Sequence, residues 1–193
     1  MSTNSRLLDF VAAMTRLVER QGLDEAAVLA EVDSRMRELV AVDDWLPVEM
    51  TRSDPKHYQQ HLLYGDPLDR FSVVSFVWGP GQGTPIHNHT VWGAIGMLRG
   101  AECGQRYRVQ GSELVEDGEE ATLQPGQVEL VSPTIGDIHR VRNASRDSSA
   151  ISIHVYGGNI GRIARHVFDA SGGTRPFVSG YSNTLAPNLW NSK

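Results

Sequence analysis

The sequence predicts an all-β sandwich or barrel preceded by two helices, and three observations lead there. From residue 71 onward, apolar and β-branched residues come in short runs, at 71–78, 91–99, 103–109, 120–123, 127–131, 138–143 and 150–156. Turn-forming groups separate them: Gly79-Pro80-Gly81, Gln110-Gly111-Ser112, Asp117-Gly118, Pro125-Gly126 and the polar stretch 143–149. Short strands at this spacing are what closed or two-layered β architectures need. The third observation is that the first forty or so residues change period, from two to between three and four.

Residues 5–21 place Leu7, Val11, Met14 and Val18 three and four apart, a helix with one buried stripe closed by Gln21-Gly22. Asp24 is placed to cap a second helix that carries Val28, Val32, Met36 and Leu39 on one face. Both are expected to pack against the outside of the later sheet. An irregular connection rich in Asp and Pro fills 41–55, and 56–64 leads into the turn Gly65-Asp66-Pro67. From Gly172 the chain is rich in Gly, Ser, Asn and Pro; this tail is expected to wrap the barrel, anchored by Phe177, Tyr181 and Trp190. The reading is one domain over 1–193, with a helical appendage at 1–55, a barrel core at 56–170 and a wrapping tail at 171–193.

At 193 residues and 40% apolar, the chain can bury a sizeable core. A net charge of −5 and a pI near 5.8 argue against a nucleic-acid or anionic-membrane surface. No stretch is apolar enough to span a bilayer, and the polar start lacks a signal peptide's apolar core. The single cysteine, Cys103, excludes an internal disulfide framework. A cytoplasmic enzyme with no obligate protein partner is the expectation.

The chemistry concentrates around His87 and His89, which follow Gly81, Gly83 and Pro85. In an extended strand, residues i and i+2 share a face, so both imidazoles can aim at one point. Such a pair also occurs by chance on a solvent-facing strand. A third histidine, His139, follows a second glycine- and proline-marked stretch, Gly126 to Gly136, and precedes Asn143. Three imidazoles from separate strands can cap one face of a metal and leave the opposite positions open, as catalytic sites require.

These two stretches resemble the paired motifs of the cupin superfamily, G-x5-H-x-H-x3,4-E-x6-G and G-x5-P-x-G-x2-H-x3-N. Gly81, His87, His89 and Gly100 fall on the first; Gly136, His139 and Asn143 fall on the second. Pro133 stands one residue further from Gly136, and Gly126 one further from Pro133, than the pattern asks. Gly93 occupies the glutamate position. The resemblance implies a cupin β-barrel, a double-stranded β-helix or jelly roll, whose metal is held by His87, His89 and His139 with no carboxylate.

The strand at 150–156 alternates strictly, Ile151, Ile153 and Val155 on one side and Ser152, His154 and Tyr156 on the other. The polar side is either the solvent side of an edge strand or an interior hydrogen-bonded chain. Taken with the metal motifs, the chain from about residue 58 to 165 resembles the thiol dioxygenases of the cysteine dioxygenase family. That resemblance implies Fe2+ on His87, His89 and His139, with Ser152, His154 and Tyr156 as an outer triad, and a small thiol plus O2 as reactants. In the mammalian branch a cysteine at the Gly93 position is crosslinked to the tyrosine; here no such link can form, and Cys103 reads as a buried small residue. The cysteine-specific members carry Tyr-x-Arg where this chain has Tyr58-Gln59-Gln60. Glutamine there is similar to the bacterial 3-mercaptopropionate dioxygenases, in which an arginine corresponding to Arg165 holds the carboxylate, with Arg162 the near competitor. His57, His61 and His166 are read as surface or packing residues. The implied activity is oxidation of 3-mercaptopropionate to its sulfinate. The alternatives are L-cysteine as substrate, a non-catalytic metal-binding cupin, or a zinc or manganese isomerase or hydrolase.

Overall fold

The computed structural model describes residues 5–169 and 171–183. Its elements are α1 (Ser5–Glu19), α2 (Glu25–Val40), a 3-10 turn at Val48–Met50, β1 (Gln59–Gly65), β2 (Ser72–Trp78), β3 (Ile86–His87), β4 (Gly93–Arg99), β5 (Glu102–Gln110), β6 (Glu113–Glu116), β7 (Ala121–Leu123), β8 (Val128–Val131), β9 (Ile138–Asn143), β10 (Ala150–Tyr156), β11 (Arg165–Phe168) and β12 (Thr174–Phe177). One sheet runs β1-β2-β10-β4-β8; the other runs β12-β11-β3-β9-β5-β6, with β7 also on β5. The pairings are antiparallel.

Every residue of β2 and β10 is buried, because the first sheet is covered on both faces. Val73, Val77, Ala94, Ile151, Ile153 and Val155 pack on the helices, together with Met14, Val32 and Met36. The alternate residues Val74, Phe76, Trp78 and Tyr156 point into the barrel. β10 is central, between β2 and β4, so the edge-strand alternative for Ser152, His154 and Tyr156 is excluded. The Asp24 carboxylate accepts from the Ala27 N–H at 2.8 Å and caps α2 as expected. The α1 stripe is rotated from the expected one: Phe10, Met14 and Leu17 are its buried centre, and Leu7, Val11 and Val18 flank it.

α2 approaches β4 closely at Gly96. A Cβ there would lie 2.7 Å from Met36 Cγ and 2.8 Å from Val40 Cγ1. Gly96→Ala is therefore expected to destabilise the chain by about 1–3 kcal/mol through overpacking, read as a lower urea midpoint at unchanged m-value.

Four strands, β1, β6, β11 and β12, were not anticipated, and the strand expected at His87 and His89 stops at His87. β1 reads as polar, β3 is two residues long, and β6, β11 and β12 are short and half-exposed, so none carries a strong period. The described part of the tail makes contacts with β1 and with Asn159. Tyr181 donates to Asn159 Oδ1 at 2.5 Å, and Ser182 and Asn183 hydrogen-bond the backbone of β1, covering that sheet edge. Trp190 lies outside the described residues. Among the described residues no helix is long and apolar enough to cross a membrane.

Candidate metal centre

His87 ends β3 and stands directly opposite His139 on β9. His89 does not continue the strand, which corrects the simple i, i+2 picture. The chain leaves β3 after His87, and Thr90 takes φ 62°. A β-branched residue in the left-handed region is an outlier that needs external support. Asp137 supplies it: one carboxylate oxygen accepts from Thr90 N–H at 2.9 Å, and the other accepts from His89 N–H at 2.9 Å. The second oxygen also meets His89 Nδ1 at 3.1 Å.

The result is a near-symmetric triangle. All three pairs of imidazole centroids are 4.9 Å apart, and one nitrogen from each ring lies within 4.8 Å of the others. His87 Nδ1 faces the Pro85 carbonyl at 3.1 Å, as His89 Nδ1 faces Asp137, which leaves each Nε2 as the free ligand atom. His139 Nδ1 is buried and has no hydrogen-bond partner among the described residues. Burial, then the neighbouring His89, lowers the His87 pKa to about 3; burial, followed by His89 and His87, holds His139 well below the usual imidazole range. His87 and His139 are thereby held in the neutral form that metal ligation requires. The donor set fits a first-row divalent ion with open coordination positions. Asp137→Asn is expected to weaken metal binding about 10- to 100-fold, the range typical of lost outer partners, in a competition titration against a chromophoric chelator.

Ser152, His154 and Tyr156 form a hydrogen-bonded line. Tyr156 Oη lies 2.7 Å from His154 Nδ1, and His154 Nε2 lies 2.8 Å from Ser152 Oγ. Tyr156 stacks on His89 with centroids 5.3 Å apart. Burial pushes its phenol above the ordinary range, so it stays protonated. Burial likewise keeps His154 neutral. Gly93 has a steric reason: a Cβ there would sit 2.7 Å from Tyr156 Cδ1. Cys103 is buried against Thr122, its Sγ 3.6 Å from Oγ1, on β5.

A cavity of about 180 Å³ joins the three histidines to Tyr58, Gln60, His154, Tyr156, Arg165 and Ser179. Arg165 is buried, with Nη2 donating to Ser179 Oγ at 2.6 Å and the guanidinium 4.6 Å above Phe177. Among the described residues its Nε has no partner and no ion pair involves it. Arg162 is exposed and paired with Asp69. The Gln60 amide donates to Ser179 Oγ and to the Gly180 carbonyl, each at 3.1 Å. His57 and His166 are exposed, and His61 is half-buried away from the cavity.

The chain matches the family described as "Cysteine dioxygenase type I" over residues 2–170. It belongs to the cysteine dioxygenase type I family. It is 27% identical to "Cysteine dioxygenase type 1" of Danio rerio over 118 residues, 58% of this chain and 56% of that protein. To the Homo sapiens protein of the same name it is 31% identical over 91 residues, 45% of this chain and 44% of that one. The chain thus spans about half the length of the curated relatives it matches. Among solved structures, it is similar to a double-stranded β-helix protein of Klebsiella pneumoniae, with TM-score 0.46 and 16% identity over 66% of this chain and 90% of that one. It is also similar to a cupin superfamily protein of Desulfitobacterium hafniense, with TM-score 0.44 and 12% identity over 61% and 95%. The cupin fold and membership of the cysteine dioxygenase family agree with the sequence reading.

Two residues that family-level reading of the sequence missed are Asp137 and Glu102. Asp137 sits two positions before His139, where its acidic side chain was the available signal. Glu102 is fully buried and bonded to Ser152 Oγ. Its only signal was a carboxylate opening an otherwise neutral stretch, which reads equally well as solvated.

Proposed function

We propose that this chain is a thiol dioxygenase that converts a small thiol carboxylate, preferentially 3-mercaptopropionate, to its sulfinate, with Fe2+ held by His87, His89 and His139. The observation that carries the reading is a buried arginine with no counter-ion among the described residues, in the same cavity as three converging histidines. A buried charge is costly unless paired, so Arg165 calls for an anionic ligand. Three imidazoles leave a divalent ion its full charge, which suits a soft thiolate. Iron bound there would hold the thiolate and dioxygen side by side and carry electrons between them. In the overall reaction RS⁻ + O2 gives RSO2⁻: sulfur is oxidised, dioxygen is reduced, and no external reductant is needed.

The protein's part is placement. Arg165 holds the carboxylate by a two-pronged contact that an amide such as Gln60 cannot make. Gln60, through Ser179, fixes the guanidinium from behind. Tyr156 presents its hydroxyl near the sulfur end, steered by His154 and Ser152. Tyr58, Phe76 and Trp78 form an aromatic wall that excludes water. No Asp or Glu lines this cavity among the described residues, so the ammonium of cysteine would meet no carboxylate there. This supports the acid lacking that group. The names of the curated relatives favour cysteine itself as the second reading. The free Cys103 is consistent with a cytoplasmic setting.

Oxygen-electrode assays on anaerobically iron-loaded protein test this. A catalytic efficiency at least tenfold higher on 3-mercaptopropionate than on cysteine, about 1.4 kcal/mol at the transition state, is expected. A reversed ratio would move the substrate to cysteine. Absence of thiol-dependent oxygen uptake with either would leave a non-catalytic metal-binding cupin, and turnover without O2 would point to a different reaction.

A further inference from the structure

The hydrogen-bond chain that starts at Tyr156 does not stop at Ser152. Ser152 Oγ also bonds a carboxylate oxygen of Glu102, which reaches in from β5 in the opposite sheet. Four side chains therefore run in line: Tyr156 Oη, His154 Nδ1 and Nε2, Ser152 Oγ, Glu102 Oε1. Trp78 Nε1 donates to Ser152 Oγ at 3.2 Å. Glu102 also lines a separate flank cavity of about 260 Å³, together with Arg106, Thr122 and Glu129. The chain thus runs from the lining of one cavity to the lining of another.

Proton counting along this chain leaves two arrangements. Ser152 has one hydroxyl proton and can give it to Glu102 or to His154, not both. If Glu102 is ionised, Ser152 donates to it, His154 must donate from Nε2, and its bare Nδ1 accepts the Tyr156 hydroxyl proton. The Tyr156 oxygen then offers only lone pairs to the metal cavity. If Glu102 is protonated, it donates to Ser152, Ser152 donates to Nε2, and His154 carries its proton on Nδ1 and donates to Tyr156. The Tyr156 hydroxyl proton is then free to point into the cavity. We propose that Glu102 is a positioning residue that sets the direction of the Ser152–His154–Tyr156 chain, and so decides whether Tyr156 donates or accepts toward a bound substrate.

The surroundings allow Glu102 to take both forms. Burial, opposed by the hydrogen bonds from Ser152 and Trp78 and aided by the nearby Glu129 carboxylate, raises its pKa to about 7. Arg106 is the cation of this flank, and it is ion-paired with Glu129 at 2.8 Å. Asn143 on β9 and Leu123 on β7 are its cross-strand neighbours and carry no charge. The flank cavity that Glu102 lines contains none of the three histidines. The inference adds to the proposed oxidation chemistry but does not depend on it.

The test reads the tautomer of His154 by long-range proton–nitrogen NMR on the full chain labelled with ¹⁵N-histidine, with and without diamagnetic Zn2+. His154→Asn identifies the resonance. In the parent chain His154 is expected to stay neutral and pass from Nδ1–H to Nε2–H as pH rises, with a midpoint near the Glu102 pKa of about 7. In Glu102→Gln, whose amide fits the same space and does not titrate, the tautomer should stop responding to pH. A parent tautomer that is constant across neutral pH overturns the inference. So does protonation to the imidazolium, or a pH response that persists unchanged in Glu102→Gln. The parent titration alone decides the matter if Glu102→Gln fails to fold. Failure to bind Zn2+ would count against the metal centre and leave this result standing.

Discussion

His139→Ala is expected to empty the metal centre. The three rings are equidistant, so each contributes one corner of the donor triangle, and among the described residues no fourth ligand joins them. Loss of an outer partner costs about 10- to 100-fold in affinity, and loss of a direct ligand should exceed the upper end of that range. Elemental analysis after passage over a chelating resin should show iron retained by the parent and absent from the variant. Fold loss must be separated from ligand loss, because His139 sits in a paired strand opposite His87. His139→Gln serves here: it keeps bulk and polarity and lacks the imidazole. Unchanged circular dichroism with lost metal is the expected pair of results. Full iron occupancy in either variant would remove His139 from the ligand set.

Arg165→Met is expected to disable turnover while leaving the fold as stable as before, or more so. Arg165 is buried, burial pulls its guanidinium below the usual range, and no carboxylate pairs with it among the described residues. Removing such a charge relieves a desolvation cost, and methionine keeps most of the packing over Phe177. Binding of a thiol carboxylate should suffer by about 2–5 kcal/mol, a rise in KM of roughly 30-fold or more, because the substrate charge is left without its partner. Urea unfolding and steady-state kinetics read the two effects independently. A drop in stability with KM unchanged would make Arg165 a packing residue. Arg162→Met, at an exposed ion pair, should change neither quantity appreciably.

The local grammar of the chain was legible. The α2 cap at Asp24, the strands at 138–143 and 150–156, and the alternation of Ser152, His154 and Tyr156 against Ile151, Ile153 and Val155 follow from period and capping chemistry. These signals survive because they are repeated over several residues and because both faces of β10 are buried. β1 and β12 were not legible. Their residues are polar or mixed, and what makes them strands is pairing with β2 and β11, not preference of their own. The same holds for His89. Its place in the triangle comes from Asp137 pinning a left-handed Thr90, a contact made across the chain and absent from any local pattern.

By itself the sequence determined which residues are chemically equipped: three histidines at motif spacing, a polar triad on one strand face, and an arginine beyond it. Only the tertiary structure decided which were brought together. It turned Arg165 inward and Arg162 outward, and it seated Glu102 at the far end of the triad. The physical reason is that side-chain type and period are written residue by residue. Burial, and with it the cost of an unpaired charge or the freedom of a proton, depends on what the opposite sheet and the tail lay against each group.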